Sequence, residues 1–473
     1  MTRILFLQDV PYDYIGVMQM SANLKKAGHE CDALIWEKEK DFWTEFKEIN
    51  PEVVCFSVIS GWHKTSLQKA KEIKERYPEV VIVFGGTHPT YFPEVLNEEP
   101  VDVICRGEGD ISIVELINNL EKGKDITKIK DLWVKKDGKI YKNELRDLVE
   151  DLDSLPFMDR EIYYKRYKFL RDIPTKRFMT GRGCVANCTF CYNPTIKKMY
   201  KGKGQFVRKR SPQSMIDEIK MVKEKYPLKN VRFSDDTFAT HSEWVLEFME
   251  MYKREINLPF SILARGNELL SEDVLKALKE GGCDNIAWGI ESGDEEYRKK
   301  VLHKFLNDDQ IREAGKLLKK YKIKFSTYNM FGMPGETLEQ AWNTIKINAQ
   351  IKPDYPFSTV FQPYPATELK EYAQKTGVLD ESFDVNNIGM MHDGSYNPIK
   401  LKNKNEIINL QNFFWVLVRF PKSKYLIQPL IGMKPNKLFN YVEKFSSGWV
   451  KFNLFGADIR HSLILALGLR KKL

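Results

Sequence analysis

The chain has 473 residues, of which 42% are apolar and 12% aromatic, with seven cysteines and a formal net charge of +9. A chain of this length and composition can bury more than one core, which excludes a disordered tail protein and a disulfide-stapled mini-domain. No apolar run approaches the roughly 18 residues of a membrane-spanning helix, and the apolar start meets Gln8 and Asp9 too early for a signal peptide. We therefore expect a cytoplasmic protein in a reducing or anaerobic environment.

The charge is unevenly distributed along the chain. Residues 401–473 contain 13 Lys and Arg against three Asp and Glu, a local net charge of +10, which leaves −1 for the first 400 residues. The basic excess is therefore a property of the C-terminal end alone.

Short apolar runs alternate with segments of helical period in residues 1–135. Predicted strands lie at 4–7, 33–36, 53–58, 80–84 and 101–105, and predicted helices lie near 17–27 and 66–77. Such alternation is typical of a doubly wound parallel sheet. We predict an α/β, Rossmann-like domain over 1–135, followed by a linker over 136–175 that contains a Lys-Asp-Gly turn at 136–138.

The alternation returns in residues 176–380 with a different set of loops. Predicted strands lie at 177–180, 230–233, 260–264, 285–289, 325–331 and 358–362, and predicted helices lie near 212–225, 243–254, 271–281, 308–321 and 337–350. Six βα units predict a (βα)6 partial barrel, in which the loops after the carboxyl ends of the strands carry the chemistry. Residues 381–473 are predicted to form a small, mainly helical region.

Three cysteines, Cys184, Cys188 and Cys191, lie just after the first predicted barrel strand. Gly181 and Gly183 precede them, and a glycine-containing turn can wrap three thiolates around one object. An odd total of seven cysteines suits reduced ligands better than a disulfide framework. Three cysteines on a cubane 4Fe-4S cluster leave one iron open to a small molecule. Zinc is the alternative, but a closed zinc site needs a fourth ligand and none lies nearby in sequence.

The segment CVANCTFC at 184–191 resembles the signature of the radical S-adenosylmethionine (SAM) superfamily, including the aromatic residue before the third cysteine. The resemblance implies a 4Fe-4S cluster whose free iron chelates the amino and carboxylate groups of SAM. It also implies reductive cleavage of SAM to a 5′-deoxyadenosyl radical, with electrons from an external donor of the flavodoxin or ferredoxin type.

Polar residues at the ends of the next strands fit the same resemblance. Asp235 and Asp236 follow the second strand, where the family holds the amino group of SAM. Arg265 follows the third strand, and its guanidinium suits the carboxylate of SAM. Glu291 and Ser292 follow the fourth strand, where the family places groups that meet the ribose. Each residue alone is equally typical of a helix cap, a turn or a surface carboxylate.

The fifth strand is followed by Gly332, Pro334 and Gly335, where the resemblance implies tight backbone beside the adenine. Cys283 lacks any comparable context and is predicted to be a buried thiol. Arg208 and Arg210 stay open between a structural role and contact with an anion.

The loops after the strands of the first domain resemble those of the cobalamin-binding Rossmann-like domain. A doubly wound sheet binds its ligands at this edge. The residues that carry the resemblance are Ser57, Val58, Gly85, Gly86, Gly107, Glu108 and Gly109. Glycines there would let backbone approach the corrin and its nucleotide tail closely. The alternative is that these glycines form ordinary βα turns.

One departure from the cobalamin pattern concerns the lower face of the cofactor. Domains that supply a histidine to the cobalt carry Asp-x-His-x-x-Gly in the first loop, and counting back from Gly16 places Pro11 and Asp13 at those positions. We therefore predict cobalamin without a histidine lower ligand. His63 and His88 lie in other loops and are predicted to be solvated or hydrogen-bonded.

The two resemblances together imply a cobalamin-dependent radical SAM methyltransferase of the class B type. Such an enzyme moves a methyl group through methylcobalamin to an unactivated carbon, using the 5′-deoxyadenosyl radical. The alternative with the same cofactors is a cyclase, ring-contraction or oxidation enzyme without methyl transfer. A methylthiotransferase would need a second cluster, for which Cys31, Cys55 and Cys105 are placed in or beside apolar strands.

Residues 401–473 combine the basic excess with aromatic side chains and end in an apolar and basic stretch at 463–472. The aromatic residues are Phe413, Phe414, Trp415, Trp449, Phe452 and Phe455. A helical cap on the barrel is one interpretation, and a surface for anionic lipid headgroups or an anionic substrate is the other. We expect a small-molecule or lipid-like substrate, peripheral contact with an anionic membrane through 401–473, and no nucleic-acid partner, since no binding fold for one is recognisable.

Overall fold

The computed structural model describes residues 1–385, 388 and 397–455. The chain forms two compact units, one of residues 1–173 with 196–210 and the other of residues 174–195 with those from 211 onward. Within the described ranges, no helix is both long and apolar enough to cross a membrane.

The first unit is built on a seven-stranded sheet. Its elements are β1 (Arg3–Gln8), α1 (Ile15–Lys26), β2 (Glu30–Ile35), α2 (Phe42–Ile49), β3 (Val53–Ser57), α3 (His63–Arg76), β4 (Val81–Gly85), α4 (Thr87–Tyr91), β5 (Val103–Cys105), α5 (Ser112–Glu121), β6 (Leu132–Lys136), β7 (Lys139–Lys142), α6 (Glu161–Tyr164) and α7 (Lys168–Arg171).

The strand order β2-β1-β3-β4-β5-β6-β7 is that of a doubly wound fold. Strands β1 to β5 run parallel, whereas β6 and β7 add to the edge as an antiparallel hairpin. The order reverses between β1 and β3, and this switch point is where such sheets bind ligands. The predicted Rossmann-like fold is thus confirmed.

The predicted turn at 136–138 is the turn of the β6–β7 hairpin. Asp137 and Gly138 both have left-handed φ angles, of 50° and 70°, which suit a two-residue hairpin turn. Residues 136–173, which lie in the predicted linker, therefore include a strand of the first unit's sheet together with α6 and α7. The predicted domain limits themselves stay predictions.

The remaining elements follow in chain order. They are β8 (Thr175–Phe178), β9 (Gly181–Arg182), α8 (Asn193–Met199), β10 (Arg208–Lys209), α9 (Pro212–Lys225), β11 (Asn230–Phe233), α10 (Ser242–Glu255), β12 (Phe260–Ala264), α11 (Glu272–Glu280), β13 (Cys283–Glu291), α12 (Glu295–Lys300), α13 (Asp308–Lys320), β14 (Lys324–Phe331), α14 (Leu338–Ile351), β15 (Tyr355–Val360), α15 (Glu368–Lys375), α16 (Lys404–Asn412), α17 (Phe414–Arg419), α18 (Lys424–Ile431) and α19 (Lys437–Phe455).

The second unit contains a six-stranded, all-parallel sheet in the sequential order β8-β11-β12-β13-β14-β15. Sequential order with a helix after each strand is that of a partial (βα)6 barrel, as predicted. Side chains alternate between its two faces. Phe178 and Phe233 are buried in the core against the helices, while Arg177 and Arg232 on the opposite face stay half-buried.

The C-terminal helices pack on the last strands and helix of the barrel. Phe413 and Phe414 are buried in one apolar cluster with Phe331, whose ring centroid lies 5.6 Å from that of Phe414. This part of the helical-cap interpretation is confirmed. The side chains of Phe452 and Phe455 and the basic stretch 463–472 lie outside what the structure describes.

Candidate functional site

The three cysteines of the predicted cluster site lie in one loop of the second unit, between β9 and α8. Cys184 is buried, and Cys188 and Cys191 are half-buried. The loop is held at Thr189, whose N–H donates to the carbonyl of Leu302 at 3.1 Å and whose hydroxyl donates to that of Val301 at 2.7 Å. The loop is therefore anchored to the segment that follows α12.

Amide groups donate to two of the sulfur atoms. The Ala186 N–H donates to Cys184 Sγ and the Asn193 N–H to Cys191 Sγ, both at 3.4 Å, and the Asn193 side chain also donates to Cys191 Sγ at 3.7 Å. Such donors stabilise a thiolate, which is the form that binds iron. The donor set therefore fits a 4Fe-4S cluster on three cysteines.

Charged groups from three other strand ends surround these sulfurs. Burial raises the pKa of the Cys184 and Cys188 thiols, that of Cys188 to about 11, while Arg265 lowers the first and Lys304 the second. Burial is also the main cause that raises the pKa of Cys191, with Asp236 and Glu291 acting in the same direction. Asp236, Arg265 and Glu291 therefore lie close enough to the cysteines to act on them electrostatically, as the sequence analysis expects.

Within the described part of the chain, no three His, Cys, Asp or Glu side chains gather closely enough to hold one metal ion. A cubane places each ligated iron at a separate corner, so its three cysteines do not share a single ion.

Asp235 and Asp236 have different surroundings. Asp235 is buried, and its Oδ1 accepts from the Thr180 hydroxyl at 2.8 Å and from the Gly181 N–H at 2.6 Å, which fixes the end of β8 before the cysteine loop. Asp236 is exposed, and it accepts hydrogen bonds from the Asn193 side chain and the Gly183 N–H. Asp236 is thus the carboxylate of this pair that lies beside the cysteines.

Glu291 ends β13 in a strained backbone conformation. Its φ is 69°, in the left-handed region, and the register with β14 shifts between Gly289 and Glu291. A Cβ atom on Gly289 would lie 1.9 Å from Glu291 Oε1, so only glycine leaves room for this carboxylate. Lys304 Nζ lies 3.5 Å from the same oxygen and opposes the burial that raises the pKa of Glu291.

Arg265 and Ser292 differ in what they offer to a ligand. Arg265 is half-buried, and among the described residues its guanidinium forms no ion pair. Ser292 is fully buried, and its hydroxyl accepts from the Asp294 N–H at 3.3 Å. The structure therefore brings Asp236, Arg265 and Glu291 to the cysteines. Ser292 lies in the short turn before α12, and its role toward a ribose stays a prediction.

The Gly332–Glu336 loop after β14 is a tight turn around a buried carboxyl group. Glu336 Oε2 accepts from the N–H of Gly332 at 2.6 Å and that of Met333 at 3.2 Å. Gly332 and Gly335 have left-handed φ angles of 74° and 75°, and the Pro334 carbonyl accepts from the Tyr297 hydroxyl at 2.7 Å. The fixed backbone of this loop fits the predicted close approach to a flat ring.

Three residues of this region were not predicted from the sequence: Asn193, Arg298 and Lys304. Arg298 is fully buried and donates to the carbonyls of Ser292, at 2.8 Å, and Leu306, at 3.0 Å, so it ties together the loops that carry Glu291 and Lys304. Only Asn193 had a usable signal, because it follows the third cysteine by two residues.

In the first unit, two predicted pairs meet at the carboxyl edge of the sheet. Ser57 pairs with Gly85, and the Val58 N–H donates to the Gly85 carbonyl at 2.8 Å. A Cβ on Gly86, whose φ is 95°, would lie 2.9 Å from the Val58 carbonyl oxygen. Gly86 is therefore needed because its backbone lies close to the end of β3.

The Gly107–Gly109 loop is covered by residues of the 196–210 segment of the same unit. A Cβ on Gly107 would lie 2.0 Å from the Tyr200 hydroxyl, which accepts from the Glu108 N–H at 2.8 Å. The Glu108 side chain is ion-paired with Arg208. Gly109 packs near Cys105 and Met20, where a Cβ would meet their sulfur atoms at 3.2 and 3.3 Å.

Arg210 lies 3.7 Å from Asp153, so Arg208 and Arg210 both face carboxylates within the first unit.

The switch point of the first sheet presents apolar surface. Tyr12, after β1, and Ile59, after β3, are 39% and 42% exposed. Apolar side chains at the crevice of a doubly wound sheet suit the face of a macrocycle such as a corrin.

The histidines of the first unit are buried. His63 and His88 stack with ring centroids 4.1 Å apart, and His88 Nδ1 lies 3.0 Å from the Ser60 hydroxyl. Burial lowers the pKa of His88 to about 3, with His63 adding to the effect. His88 is thus hydrogen-bonded, which is one of the two environments predicted for it, and both rings are buried. Asp13 Oδ2 accepts from the Tyr164 hydroxyl at 3.1 Å.

The comparison with known families agrees with the fold and the site described above. A family model described as the radical SAM superfamily matches residues 178–347, and one described as the B12 binding domain matches residues 10–117. The cysteine loop lies after the first strand of the barrel, inside the first match, and the switch-point loops lie inside the second. The fold and the site thus define a radical SAM protein with a cobalamin-type domain.

Individual relatives extend the comparison over most of the chain. An uncharacterized methyltransferase of Pyrococcus horikoshii is 30% identical over 70% of this chain and 72% of its own length. An anaerobic magnesium-protoporphyrin IX monomethyl ester cyclase of Rubrivivax gelatinosus is 26% identical over 77% of this chain and 67% of its own length. The chain belongs to the cobalamin-binding radical SAM family.

A solved structure shares the fold. The cobalamin-dependent SAM radical enzyme OxsB, with aqua-cobalamin and SAM bound, superposes with a TM-score of 0.72 at 17% sequence identity. The match covers 99% of this chain and 75% of that protein.

The buried carboxyl of Glu336 predicts a specific pH dependence of stability. Burial raises its pKa from 4.5 to about 8. The neutral carboxyl therefore stabilises the folded chain fully below about pH 4.5, and this contribution is lost as the pH rises through about 8. Glu336→Gln keeps an acceptor for the Gly332 and Met333 N–H groups but cannot ionise, so the melting temperature of the variant relative to wild type should rise between about pH 5 and about pH 8.5.

Thermal unfolding of the metal-free chain, followed by circular dichroism, measures this difference. Glu339→Gln, at an exposed position of α14, is the matched control. A constant difference in melting temperature between Glu336→Gln and wild type across this pH range would contradict the assignment.

Proposed function

We propose that this chain is a cobalamin-dependent radical SAM methyltransferase that acts on an unactivated carbon of a small-molecule or lipid-like substrate. The observation that carries the proposal is the convergence of Asp236, Arg265 and the Glu291–Lys304 pair on the loop of Cys184, Cys188 and Cys191. When bound, the cluster and SAM supply a carbon radical that removes a substrate hydrogen, and cobalamin supplies the methyl group that replaces it.

The residues of the second unit divide the work of holding SAM. The three thiolates hold the cluster, with Ala186 and Asn193 stabilising their charge through N–H donors. Arg265 binds the carboxylate of SAM, because its guanidinium forms no ion pair with the described residues of the chain. Asp236 accepts from the amino group.

The remaining contacts to SAM involve the ribose and the adenine. Glu291 accepts hydrogen bonds from the ribose hydroxyls, and Lys304 opposes the burial that raises the pKa of this carboxyl group. Gly332, Pro334 and Gly335 lie beside the adenine. An external flavodoxin- or ferredoxin-type protein supplies the electrons.

In the first unit, the loops after β1, β3, β4 and β5 hold cobalamin. Tyr12 and Ile59 present apolar surface for the corrin, and the backbone of Ser57, Val58, Gly85 and Gly86 supports its edge. Gly107, Glu108 and Gly109 support this edge from beneath Tyr200 and Arg208, which cover their loop.

A cyclase with the same cofactors is the second candidate, since a relative with that name aligns over 77% of this chain. A methylthiotransferase with a second cluster is disfavoured. Cys31, Cys55 and Cys105 are all buried, and they lie within β2, β3 and β5 rather than in a loop that could wrap a cluster.

Product mass distinguishes methyl transfer from cyclisation. Anaerobically reconstituted protein, incubated with cell extract and unlabelled SAM, should yield a product about 14 Da heavier than its precursor for each methyl that replaces a hydrogen, and methyl-labelled SAM should transfer its label to the same product. The protein should contain about four irons and one cobalt per chain. Cys188→Ala should lose the iron and the product, while Cys283→Ala, at a buried thiol outside the site, should keep both.

A product without the label would favour the cyclase or oxidation reaction. About eight irons and no cobalt would favour the methylthiotransferase.

The placement of the candidate side chains supports our proposal that cobalamin is bound without a histidine on its lower face. Asp13 stands at the position of the family's ligand and binds Tyr164, and both His63 and His88 are buried in a stacked pair. The electron paramagnetic resonance spectrum of the cob(II)alamin form should therefore lack nitrogen superhyperfine splitting. Triplet splitting of the cobalt lines by a nitrogen would contradict this proposal; cobalamin with its own base coordinated, measured free in solution, provides the positive control.

A further inference from the structure

The C-terminal helices of the second unit carry a concentration of exposed apolar side chains. Nine large apolar side chains in the described residues are at least half exposed, and seven of them lie between Phe420 and Phe445. The most exposed are Tyr425 at 81%, Leu426 at 78% and Phe445 at 72%. Because single exposed apolar residues are normal but such concentrations are not, this surface requires an explanation.

Spacing along α19 places several of these side chains on one helix face. Leu438, Tyr441, Phe445 and Trp449 follow one another at intervals of three, four and four residues, which is the repeat of one face of an α-helix. The opposite face is already occupied, since Phe439 is buried in the C-terminal apolar cluster. Leu438, Tyr441 and Phe445 are therefore additional to the side that packs on the protein. Trp449 lies at the edge between the two sides, because its ring also packs against Trp415 and Tyr355, with ring centroids 5.4 and 6.2 Å apart.

The shorter helix α18 is arranged in the same way. Its Ile427 and Ile431 are buried in the same cluster as Phe439, while Tyr425 and Leu426 are exposed. The Asn409 side chain of α16 donates to the carbonyls of Ile431 and Met433, at 2.9 and 2.7 Å, which fixes the end of α18. The exposed apolar side chains are thus displayed by anchored helices.

Basic side chains are interleaved with the apolar ones. We use the term basic–apolar surface for the exposed residues Arg419, Phe420, Lys422, Lys424, Tyr425, Leu426, Met433, Lys434, Lys437, Leu438, Tyr441, Lys444, Phe445 and Trp449. Its six cations form no ion pair with any residue that the structure describes. The acidic residue of this stretch, Glu443, is buried.

We propose that the basic–apolar surface docks the second unit on an anionic lipid membrane. Exposed Leu and Phe can enter the boundary between headgroups and acyl chains, and Tyr and Trp are suited to that boundary because they combine an apolar ring with a polar group. The lysines beside them, which form no ion pair with the described residues, are attracted to anionic headgroups. If a second copy of the chain bound here through the same surface, the cations of the two copies would face one another and repel. Charge therefore favours an anionic membrane as the partner.

Vesicle binding of the full-length chain tests the proposal, independently of the reaction catalysed. Wild type should co-sediment with vesicles of phosphatidylglycerol and phosphatidylcholine at low salt, and bind vesicles of phosphatidylcholine alone at least about tenfold more weakly. Leu426→Asp with Phe445→Asp should reduce binding to the anionic vesicles at least about tenfold, because both side chains would have to leave the lipid. Lys437→Glu with Lys444→Glu should have a comparable effect.

Matched controls lie on other helices. Leu246→Asp replaces an exposed apolar residue of α10, and Lys276→Glu with Lys375→Glu reverses two exposed cations outside the surface. Both control proteins should bind as wild type does. Circular dichroism should show unchanged folding in every variant, since all substituted side chains are exposed.

Three outcomes would overturn the proposal. The first is failure of wild type to bind anionic vesicles at low salt, and the second is wild-type binding by the Leu426→Asp, Phe445→Asp variant. The third is that sedimentation velocity shows a dimer for wild type and a monomer for the Leu426→Asp, Phe445→Asp variant, while neither protein binds vesicles. This result would assign the surface to a second copy of the chain.

Discussion

The parallel arrangement of β8 and β11 to β15 is the constraint on which the candidate site depends. Strands that run in the same direction end at the same edge of a sheet, so residues far apart in the chain become neighbours there. Cys188 and Glu291 are separated by more than a hundred positions, yet Glu291 acts on the pKa of Cys188. A sequential strand order places each successive polar residue at the next position along this edge.

Buried charges at this edge are compensated individually. Glu291 adopts a left-handed backbone conformation beside Gly289 and is paired with Lys304. The loops that carry Glu291 and Lys304 are tied by the buried guanidinium of Arg298, whose remaining partner is Asp308. Unpaired carboxylates in such a place would be costly, so the pairs fix positions as well as charges.

The sequence predicted those features that depend on local pattern. Periodicity gave both sheets, and the 184–191 segment located the cysteine loop, because its spacing is short and contiguous. The turn at 136–138 was recognised, but its hairpin was not assigned to the sheet, since strand pairing at an edge leaves no periodic signal. The last barrel strand was predicted to begin at 358 but begins at Tyr355, because an edge strand tolerates Pro356.

Features that depend on tertiary contacts could not be predicted. Lys304 and Arg298 lie in or beside α12 without any motif, and only the fold brings them to Glu291. Gly107 was interpreted as leaving space for a cofactor, whereas the atom that requires a glycine there is the Tyr200 hydroxyl, ninety-three positions further along the chain. Asp235 and Asp236 are adjacent in sequence, and only the structure separates their surroundings.

The affinity of the reconstituted protein for SAM tests the central claim most directly. If the strand ends of the barrel hold SAM, Arg265→Met and Glu291→Gln should each raise the dissociation constant at least about tenfold, the order expected for a lost charge-assisted hydrogen bond, with unchanged iron content. Glu296→Gln, at an exposed carboxylate of α12, should leave the affinity unchanged. Wild-type affinity for SAM in both site variants, with the cluster intact, would contradict the account.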